Sequence, residues 1–194
     1  MKPPYEIQRF ELRLSGLGGQ GILTLGKVLG AGLALEEGYY VAQTQSYGPE
    51  ARGGASRSDL VISSQPISYP KPEQLDLLVA LSQEACNQYY RHLKQGGYLL
   101  VDESLVKQTP TNIYWGLPFT TLAKEKLGMV QAANMVLLGA LAHLVPFVVP
   151  RAMKKGLETS LSPKFLESNL KAFQLGLTQA KKKYPDVQTQ WTSF

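Results

Sequence analysis

A short strand that runs into a glycine-rich turn and then into a helix is the feature that most constrains the fold of this chain. Residues 10–14 alternate apolar and polar side chains, and a glycine-rich turn at residues 16–21 follows almost at once. From residue 21 to residue 35 apolar side chains recur at helical spacing, namely Ile22, Leu25, Val28, Leu29 and Leu33. This order of strand, turn and helix is typical of an α/β domain.

A second apolar stretch indicates how the sheet is covered. Residues 75–81 read LDLLVAL, and a strand that is almost wholly apolar is typical of a parallel sheet buried on both faces. Further strands are predicted at residues 39–45, 57–62, 98–101 and 112–115. Helices are predicted from Ser82 to the glycine pair at 96–97, and at residues 120–127, 131–145 and 163–182. We therefore expect an open, mainly parallel, doubly wound α/β sheet with helices on both faces.

The length of 194 residues fits a single domain, residues 1–194. Its net charge of +5 is unevenly placed: residues 1–150 hold twelve basic and twelve acidic side chains, whereas residues 151–194 hold eight basic and three acidic ones. No aromatic-rich basic motif accompanies this basic helical tail. A solvated helix face or a contact with a partner protein is therefore expected, rather than nucleic-acid binding.

Cysteine content limits the chemistry that the chain can perform. Cys86 is the only cysteine, so neither an internal disulfide nor a cysteine cage for zinc or an iron–sulfur cluster can form. We expect a reducing, cytoplasmic location, because the first residues lack the apolar core of a signal peptide. The apolar stretch at residues 132–149 is interrupted by Asn134, His143 and Pro146, which favours a buried helix over a membrane span.

Binding sites in open α/β sheets lie beyond the carboxyl ends of the strands. That rule selects four loops, at residues 15–21, 46–54, 82–84 and 102–104. The first contains the pattern G-x-G-x-x-G, in Gly16, Gly18 and Gly21, where a dinucleotide fingerprint is expected. A dinucleotide site also requires an acid at the end of the second strand, and no residue between Glu37 and Glu50 is acidic, so NAD binding is not expected. The glycines then serve either a tight turn or an anion site at the helix terminus.

A second nucleotide motif is approximated by residues 21–28, GILTLGKV, which nearly spell a P-loop. Val28 stands where a serine or threonine would hold magnesium, and the segment lies inside the predicted helix instead of directly after a strand. We interpret this near-match as coincidence.

The loop that follows the second strand is the most distinctive stretch of the sequence. Residues 45–59 read QSYGPEARGGASRSD, and its glycines and proline predict a turn that presents Tyr47, Glu50 and Arg52 outward. Arginine among glycines and hydroxyl groups can bind a phosphate or a carboxylate. The alternative is a solvated loop in which Glu50 and Arg52 pair weakly with each other.

These segments together resemble the gamma subunit of 2-oxoacid:ferredoxin oxidoreductases. The resemblance rests on residues 18–21 (GGQG), residues 45–54, residues 56–59 (SRSD), residues 80–85 (ALSQEA), and the pairs Asn134-Met135 and Leu138-Gly139. It spans roughly residues 10–145, the α/β core. The loop at 45–54 is more similar to the branch that acts on 2-oxoglutarate or branched-chain 2-oxoacids than to the pyruvate branch.

The resemblance implies a division of labour among subunits. In the family, alpha and beta subunits hold thiamine pyrophosphate, iron–sulfur clusters pass electrons to ferredoxin, and coenzyme A accepts the acyl group. The gamma subunit then binds no cofactor alone, and it contributes to complex assembly and to coenzyme A engagement. Its expected partners are the alpha, beta and cluster-bearing subunits, ferredoxin through the complex, and coenzyme A, with no nucleic acid and no membrane. The residues expected to form its cofactor-binding site are Gly16, Gly18, Gly19, Gln20, Gly21, Ser46, Tyr47, Glu50, Arg52, Gly53 and Gly54.

No residue is expected to be catalytic and none to bind a metal. Two alternatives stay open: a stand-alone nucleotide-binding enzyme, such as a dehydrogenase or methyltransferase, and a pure assembly module. Five single features carry simpler interpretations. His92 is expected to be a cation at a helix end, His143 and Cys86 to be packed residues, Asp102 to be a site residue or the cap of a helix near Ser104, and residues 181–183 to be solvated lysines.

Overall fold

The computed structural model describes residues 3–46 and 55–187. The strands are β1 (Phe10–Leu17), β2 (Tyr40–Ser46), β3 (Ala55–Ser63), β4 (Leu75–Ala80), β5 (Leu93–Asp102) and β6 (Trp115–Leu117). The α-helices are α1 (Ile22–Ala31), α2 (Gln83–Tyr89), α3 (Phe119–Leu127), α4 (Ala133–Leu144), α5 (Pro150–Ser160) and α6 (Pro163–Lys183). A π-helical turn (Gly32–Glu36) extends α1, and 3-10 turns at Tyr90–His92 and Val130–Ala132 follow α2 and precede α4.

The strands form one open sheet in the order β2-β3-β1-β4-β5-β6. Strand β3 runs antiparallel to both of its neighbours, β1 and β2, and the remaining strands share one direction. The predicted open, mainly parallel α/β sheet is confirmed. The reversal of β3 was not predicted, and its cause is the short connection from β2, since a parallel neighbour needs a crossover of a dozen or more residues. The carboxyl ends of the five co-directional strands define what we call the carboxyl edge of the sheet.

Helices cover the two faces of the sheet unevenly. One face packs against α1 and against α3 to α6, which together form the large hydrophobic core. The opposite face carries α2, whose buried residues Ala85, Cys86 and Tyr89 form a smaller cluster with β4 and β5. Helices on both faces were predicted, and the sheet has them.

The middle of the large core is helix α4, in which every residue except His143 is buried. The helix crosses α6 at backbone distance: a Cβ added at Gly139 would lie 1.9 Å from the carbonyl oxygen of Phe173, and one at Gly176 would lie 1.7 Å from that of Val136. Glycine at both positions is what permits this approach. The prediction of a buried helix here is confirmed, and among the described residues no helix is both long and apolar enough to cross a bilayer.

The end of α6 closes the outer edge of the sheet. The hydroxyl of Tyr184 accepts a hydrogen bond from the amide of Gly116 at 2.8 Å, and the Nζ of Lys183 donates to the carbonyl oxygen of Gly116 at 2.8 Å. Lys183 also pairs with Glu103 at 2.7 Å. Lys183 is exposed, as predicted for all three lysines at residues 181–183, but its contacts with Gly116 and Glu103 were not predicted.

A buried ion pair lies on the face that α2 covers. The guanidinium of Arg13 donates to both carboxylate oxygens of Asp59, at 2.6 and 2.8 Å, and both side chains are almost fully buried. The Arg13 guanidinium also stacks over the ring of Tyr89, 4.8 Å from its centroid. Removing one member of such a pair leaves an uncompensated buried charge, at a cost of about 3–5 kcal/mol.

His92 belongs to this cluster and is not the helix-end cation that was expected. Its Nδ1 lies 2.6 Å from the Nη1 of Arg13. A guanidinium has only donors, so Nδ1 must accept and carries no proton. Burial lowers the pKa of His92, and so do the nearby charges of Arg13, Arg91 and Arg57.

Several element boundaries differ from those predicted. Strand β5 begins at Leu93 and passes through Gly96 and Gly97, so those glycines do not end a helix. Strand β6 lies at Trp115–Leu117, later than the predicted strand, and α5 was not predicted. Gly96 has a left-handed φ of 79°, and the pairing between β4 and β5 shifts register just before Tyr98. Glycines at such an irregularity resemble a helix terminator in sequence.

We expect acidification below about pH 6.5 to destabilise the chain in part through His92. Because folding lowers its pKa, the stability from neutral His92 is fully present above the unfolded value of 6.5 and is lost as the pH falls toward the folded value. His92→Asn keeps an acceptor near the Nδ1 position and does not titrate. Urea denaturation from about pH 5.5 to about pH 7.5 should give a weaker pH dependence for the variant. If the unfolding free energy changed equally with pH in the two proteins, this assignment would be contradicted, because the carboxylates are the same in both and contribute equally.

Candidate functional site

The side chain of Gln20 fixes the glycine turn at the carboxyl edge. Its Oε1 accepts a hydrogen bond from the amide of Leu17 at 2.6 Å, and its Nε2 donates to the carbonyl oxygen of Leu81 at 2.9 Å. The turn after β1 is therefore tied to the end of β4. Gln20 was expected to contact a cofactor, but both groups of its side-chain amide make hydrogen bonds within the chain.

The glycines of the turn serve two different purposes. A Cβ at Gly16 would lie 2.3 Å from Oε1 of Gln20, and one at Gly21 would lie 2.2 Å from Nδ2 of Asn134. Gly21 also has a left-handed φ of 70°, and its carbonyl oxygen accepts a hydrogen bond from Asn134 at 3.2 Å. At Gly18 and Gly19, in contrast, a Cβ would meet no atom of the described residues within 4 Å. Gly16 and Gly21 are thus packing residues, and Gly18 and Gly19 leave their backbone open to solvent.

Helix α1 begins beside this open backbone. Its N-cap is Gly21, which has no side chain to cap the helix, and the first turn of α1 contains no acidic residue. The partial positive charge of a helix N-terminus favours an anion there by roughly 0.3–1 kcal/mol. The arrangement can therefore attract a phosphate or carboxylate to the outer half of the turn.

The distinctive loop starts and ends at the same edge. Ser46, the last residue of β2, is paired with Arg57, and Ala55, the first residue of β3, is paired with Leu17. The loop therefore begins and ends at the carboxyl edge, as the sequence predicted, and its Ala55 end lies beside the glycine turn. The remaining expected site residues of this loop, Tyr47, Glu50, Arg52, Gly53 and Gly54, lie outside the described residues.

The loop after β4 is occupied by structural contacts. The Oγ of Ser82 accepts from the amide of Ala85 at 3.1 Å, which confirms the predicted N-cap of α2. The Oε1 of Gln83 accepts from the amides of Lys107 and Gln108, at 2.9 and 3.0 Å. This loop braces the edge and offers little for a ligand.

The carboxylate of Asp102 is likewise fully engaged in hydrogen bonds within the chain. Asp102 is fully buried, and its carboxylate accepts from the amide of Ser104 at 2.9 Å and from the amide and hydroxyl of Thr120 at 3.0 and 2.5 Å. It therefore caps the start of α3, and the expected helix near Ser104 does not form. A fully hydrogen-bonded, buried carboxylate at a strand end is a structural residue here.

Other candidate groups are packed as the simpler interpretation predicted. Cys86 is fully buried, and burial raises the pKa of its thiol. His143 lies 2.7 Å from the carbonyl oxygen of Tyr184 through its Nε2. Within the two described ranges, no three His, Cys, Asp or Glu side chains are placed to hold a metal ion.

Asn134 is the residue of the site that sequence reasoning did not assign. It is buried at the start of α4 and reaches the glycine turn from a helix more than a hundred positions away. A polar amide within an otherwise apolar helix was the available signal, because a buried amide needs a hydrogen-bond partner.

Comparison with known proteins identifies the fold and its family. The family model described as pyruvate ferredoxin/flavodoxin oxidoreductase matches residues 11–179. The 2-oxoglutarate synthase subunit KorC of Methanocaldococcus jannaschii is 46% identical over 177 residues, which are 89% of this chain and 95% of that protein.

Two solved structures share the architecture. The gamma subunit of a keto/oxoacid ferredoxin oxidoreductase from Geobacter sulfurreducens has a TM-score of 0.81 and 40% identity, covering 90% of this chain and 97% of that one. A 2-oxoglutarate:ferredoxin oxidoreductase from Magnetococcus marinus, with 2-oxoglutarate, coenzyme A and succinyl-CoA bound, has a TM-score of 0.78 and 26% identity, and the match covers 91% of this chain but 32% of that chain. The resemblance seen in the sequence is confirmed, and this chain belongs to the pyruvate ferredoxin/flavodoxin oxidoreductase family, among the gamma subunits of 2-oxoacid:ferredoxin oxidoreductases.

Proposed function

We propose that this chain is the gamma subunit of an enzyme that oxidises 2-oxoglutarate to its acyl-coenzyme A product with ferredoxin as electron acceptor. The identity of 46% to a 2-oxoglutarate synthase subunit, over nearly the full length of both chains, supports this substrate. So does the loop at residues 45–54, which is of the 2-oxoglutarate or branched-chain type. Cys86, a lone cysteine, fits a reducing cytoplasm as the location.

The role we infer for this subunit is to engage coenzyme A at the carboxyl edge. The observation that carries it is the exposed backbone of Gly18 and Gly19, placed at the N-terminus of α1, where the N-cap Gly21 has no side chain. Coenzyme A is rich in phosphate, and main-chain amides at a helix N-terminus bind phosphate without needing a side chain. Arg52 would add a cation from the loop that starts and ends at the same edge of the sheet.

The chemical steps belong to other subunits of the complex. Thiamine pyrophosphate, held by the alpha and beta subunits, supplies the chemistry of decarboxylation, and iron–sulfur clusters carry the electrons to ferredoxin. The present chain would hold one end of coenzyme A, so that its thiol reaches the acyl group. It would also exclude water from that side of the site. Its own Cys86 is unsuited to redox chemistry, because the buried thiol has a raised pKa.

A pure assembly role is the second candidate, and specific contacts favour it. Gln20, Ser82 and Asp102, which lie at the carboxyl edge, have their hydrogen bonds satisfied within the chain. In that case the open glycines would contact a partner protein and no ligand. Kinetics with varied coenzyme A separate the two roles, because an assembly defect lowers the amount of complex and a binding defect raises KM.

Activity should require the whole complex. The purified chain alone should not reduce a viologen dye with any 2-oxoacid and coenzyme A, and addition of the alpha, beta and cluster-bearing subunits should restore reduction with 2-oxoglutarate. Omission of this chain from the mixture should abolish that activity. Turnover by the single chain above contamination, or a complex equally active without it, would refute the proposed function. A preference for another 2-oxoacid would refute only the substrate.

Two glycine substitutions in the same turn should affect different properties, the stability of the chain in one case and the KM for coenzyme A in the other. Gly21→Ala should destabilise the chain, because its left-handed backbone costs a non-glycine residue roughly 1–2 kcal/mol, and because the added carbon displaces Asn134. Gly18→Ala should leave the melting temperature unchanged and raise KM for coenzyme A a few-fold, the loss expected from one hydrogen bond of about 0.5–1.5 kcal/mol. Thermal melts and steady-state kinetics of the complex give both readouts. An unchanged KM for coenzyme A in the Gly18→Ala complex would show that the turn is not part of the ligand site.

Arg52 should act through an anion and not through the fold. Arg52→Ala should leave the melting temperature nearly unchanged, since a surface arginine contributes roughly 0–1 kcal/mol to stability. Loss of a charge-assisted contact of ~1.5–3 kcal/mol should weaken coenzyme A use or assembly by roughly 10- to 150-fold.

Arg52→Lys should recover part of this loss, because lysine keeps the charge without the planar fork. Gel filtration then distinguishes an assembly role, in which the subunit dissociates, from a ligand role, in which it stays bound. Normal assembly with unchanged coenzyme A kinetics would exclude Arg52 from the site.

A further inference from the structure

A cleft opens in the sheet at the end opposite to the carboxyl edge. Strand β6 pairs with β5 over Leu100–Asp102, and the chain before Trp115 diverges from the first half of β5. The space between β5 and the segment at residues 111–114 has a volume of about 770 Å³. The Oγ1 of Thr111 accepts from the amide of Ile113 at 3.1 Å and braces that segment. We call this space the β5 groove.

Aromatic and aliphatic side chains line the β5 groove together with the polar side chains of Gln95, Thr111 and Asn112. The stacked rings of Tyr98 and Trp115, 4.6 Å apart, form part of its wall, together with Tyr90. On its lip, Ile113 is 83% exposed and Tyr114 is 38% exposed. Exposed aliphatic and aromatic side chains gathered around a concavity mark an interaction surface.

The charge on the rim of the groove is positive. Lys94 is paired with Asp76, but Arg91 is exposed and has no carboxylate partner among the described residues. Aromatic residues and arginine are the residue types most enriched at protein–protein hot spots. The groove therefore suits an apolar side chain with a carboxylate close to it.

Two relatives show two ways of keeping such a domain in a complex. In the Magnetococcus enzyme the matching region is 32% of a longer chain, so covalent linkage keeps the domain in place, at an effective concentration in the millimolar range for short linkers. The KorC subunit of Methanocaldococcus jannaschii is matched over 95% of its length, so that subunit must be held by surface contacts. The resemblance to KorC therefore favours a surface for a partner on this chain.

We propose that the β5 groove holds an extended segment of another subunit of the same complex, with an apolar or aromatic side chain against Ile113 and Tyr114 and a carboxylate against Arg91. This inference rests on the proposed function in one respect, that the chain works within a complex. The groove lies at the opposite ends of the strands from Gly18 and Gly19. A partner bound there leaves the carboxyl edge free to face coenzyme A.

The test is the affinity of variant chains for the remaining subunits. Ile113→Asp and Arg91→Glu should each weaken binding roughly tenfold or more, as loss of a hot-spot residue does. Leu35→Asp and Lys154→Glu are the matched controls, because both residues are exposed and lie away from the groove. Immobilised partner subunits and titration of each chain give the dissociation constants. Thermal melts of the isolated variants should match those of the natural chain.

Several results would overturn the proposal. Wild-type affinity of both groove variants would do so, as would equal weakening by the controls. A lowered melting temperature with unchanged affinity would assign the groove to the fold of the chain itself. Dimers of the isolated chain that Ile113→Asp disperses would assign it to a second copy, and a raised KM with intact assembly would assign it to a small ligand. Each of these leaves the proposed function standing, which fails only if the complex is equally active without the chain.

Discussion

The buried helix α4 is the element on which the rest of the structure depends. Its first turn supplies Asn134, which holds the glycine turn by the carbonyl oxygen of Gly21. In its middle, Gly139 lets the backbone of α6 pack directly against the backbone of α4. Near its end, His143 lies within hydrogen-bonding distance of the carbonyl oxygen of Tyr184, beside the outer edge of the sheet. One helix therefore links the candidate ligand edge, the helical layer and the strand next to the β5 groove, and a close-packed interior transmits any displacement of it.

Several segments that carry the family resemblance have structural duties in this chain. Asn134 and Gly21 form one contact across the core, and Asp59, in the SRSD segment, neutralises the buried Arg13. Ser58, in the same segment, accepts a hydrogen bond from Gln43 at 2.8 Å beside α1. Such residues specify the fold and hold the carboxyl edge in place. We propose that ligand specificity is then left to the turn at Gly18 and to the loop at residues 47–54.

Local order was readable from the sequence, and long-range arrangement was not. Apolar periodicity and glycine punctuation are properties of neighbouring residues, so α1, β4 and α6 were found near their true positions. The role of Lys183 depends on α6 reaching β6, which is not encoded locally. The reversal of β3 was missed although the short connection after β2 is a local signal for it. In the site, the turn itself was predicted. Which of its glycines are open was not, because that is decided by Gln20 and Asn134.

The two ends of the sheet differ in the kind of partner that they can hold, and this difference follows from their polarity. The carboxyl edge offers main-chain amides at a positive helix terminus, which select an anion with little dependence on side chains. The β5 groove offers aromatic area and the guanidinium of Arg91, which has no carboxylate partner among the described residues, and these groups suit a protein surface. The basic excess of α5 and α6 contributes no side chain to the lining of the β5 groove, and Lys155 and Lys171 pair with glutamates on their own helices. Specific placement of a few groups, rather than net charge, therefore determines what each end binds.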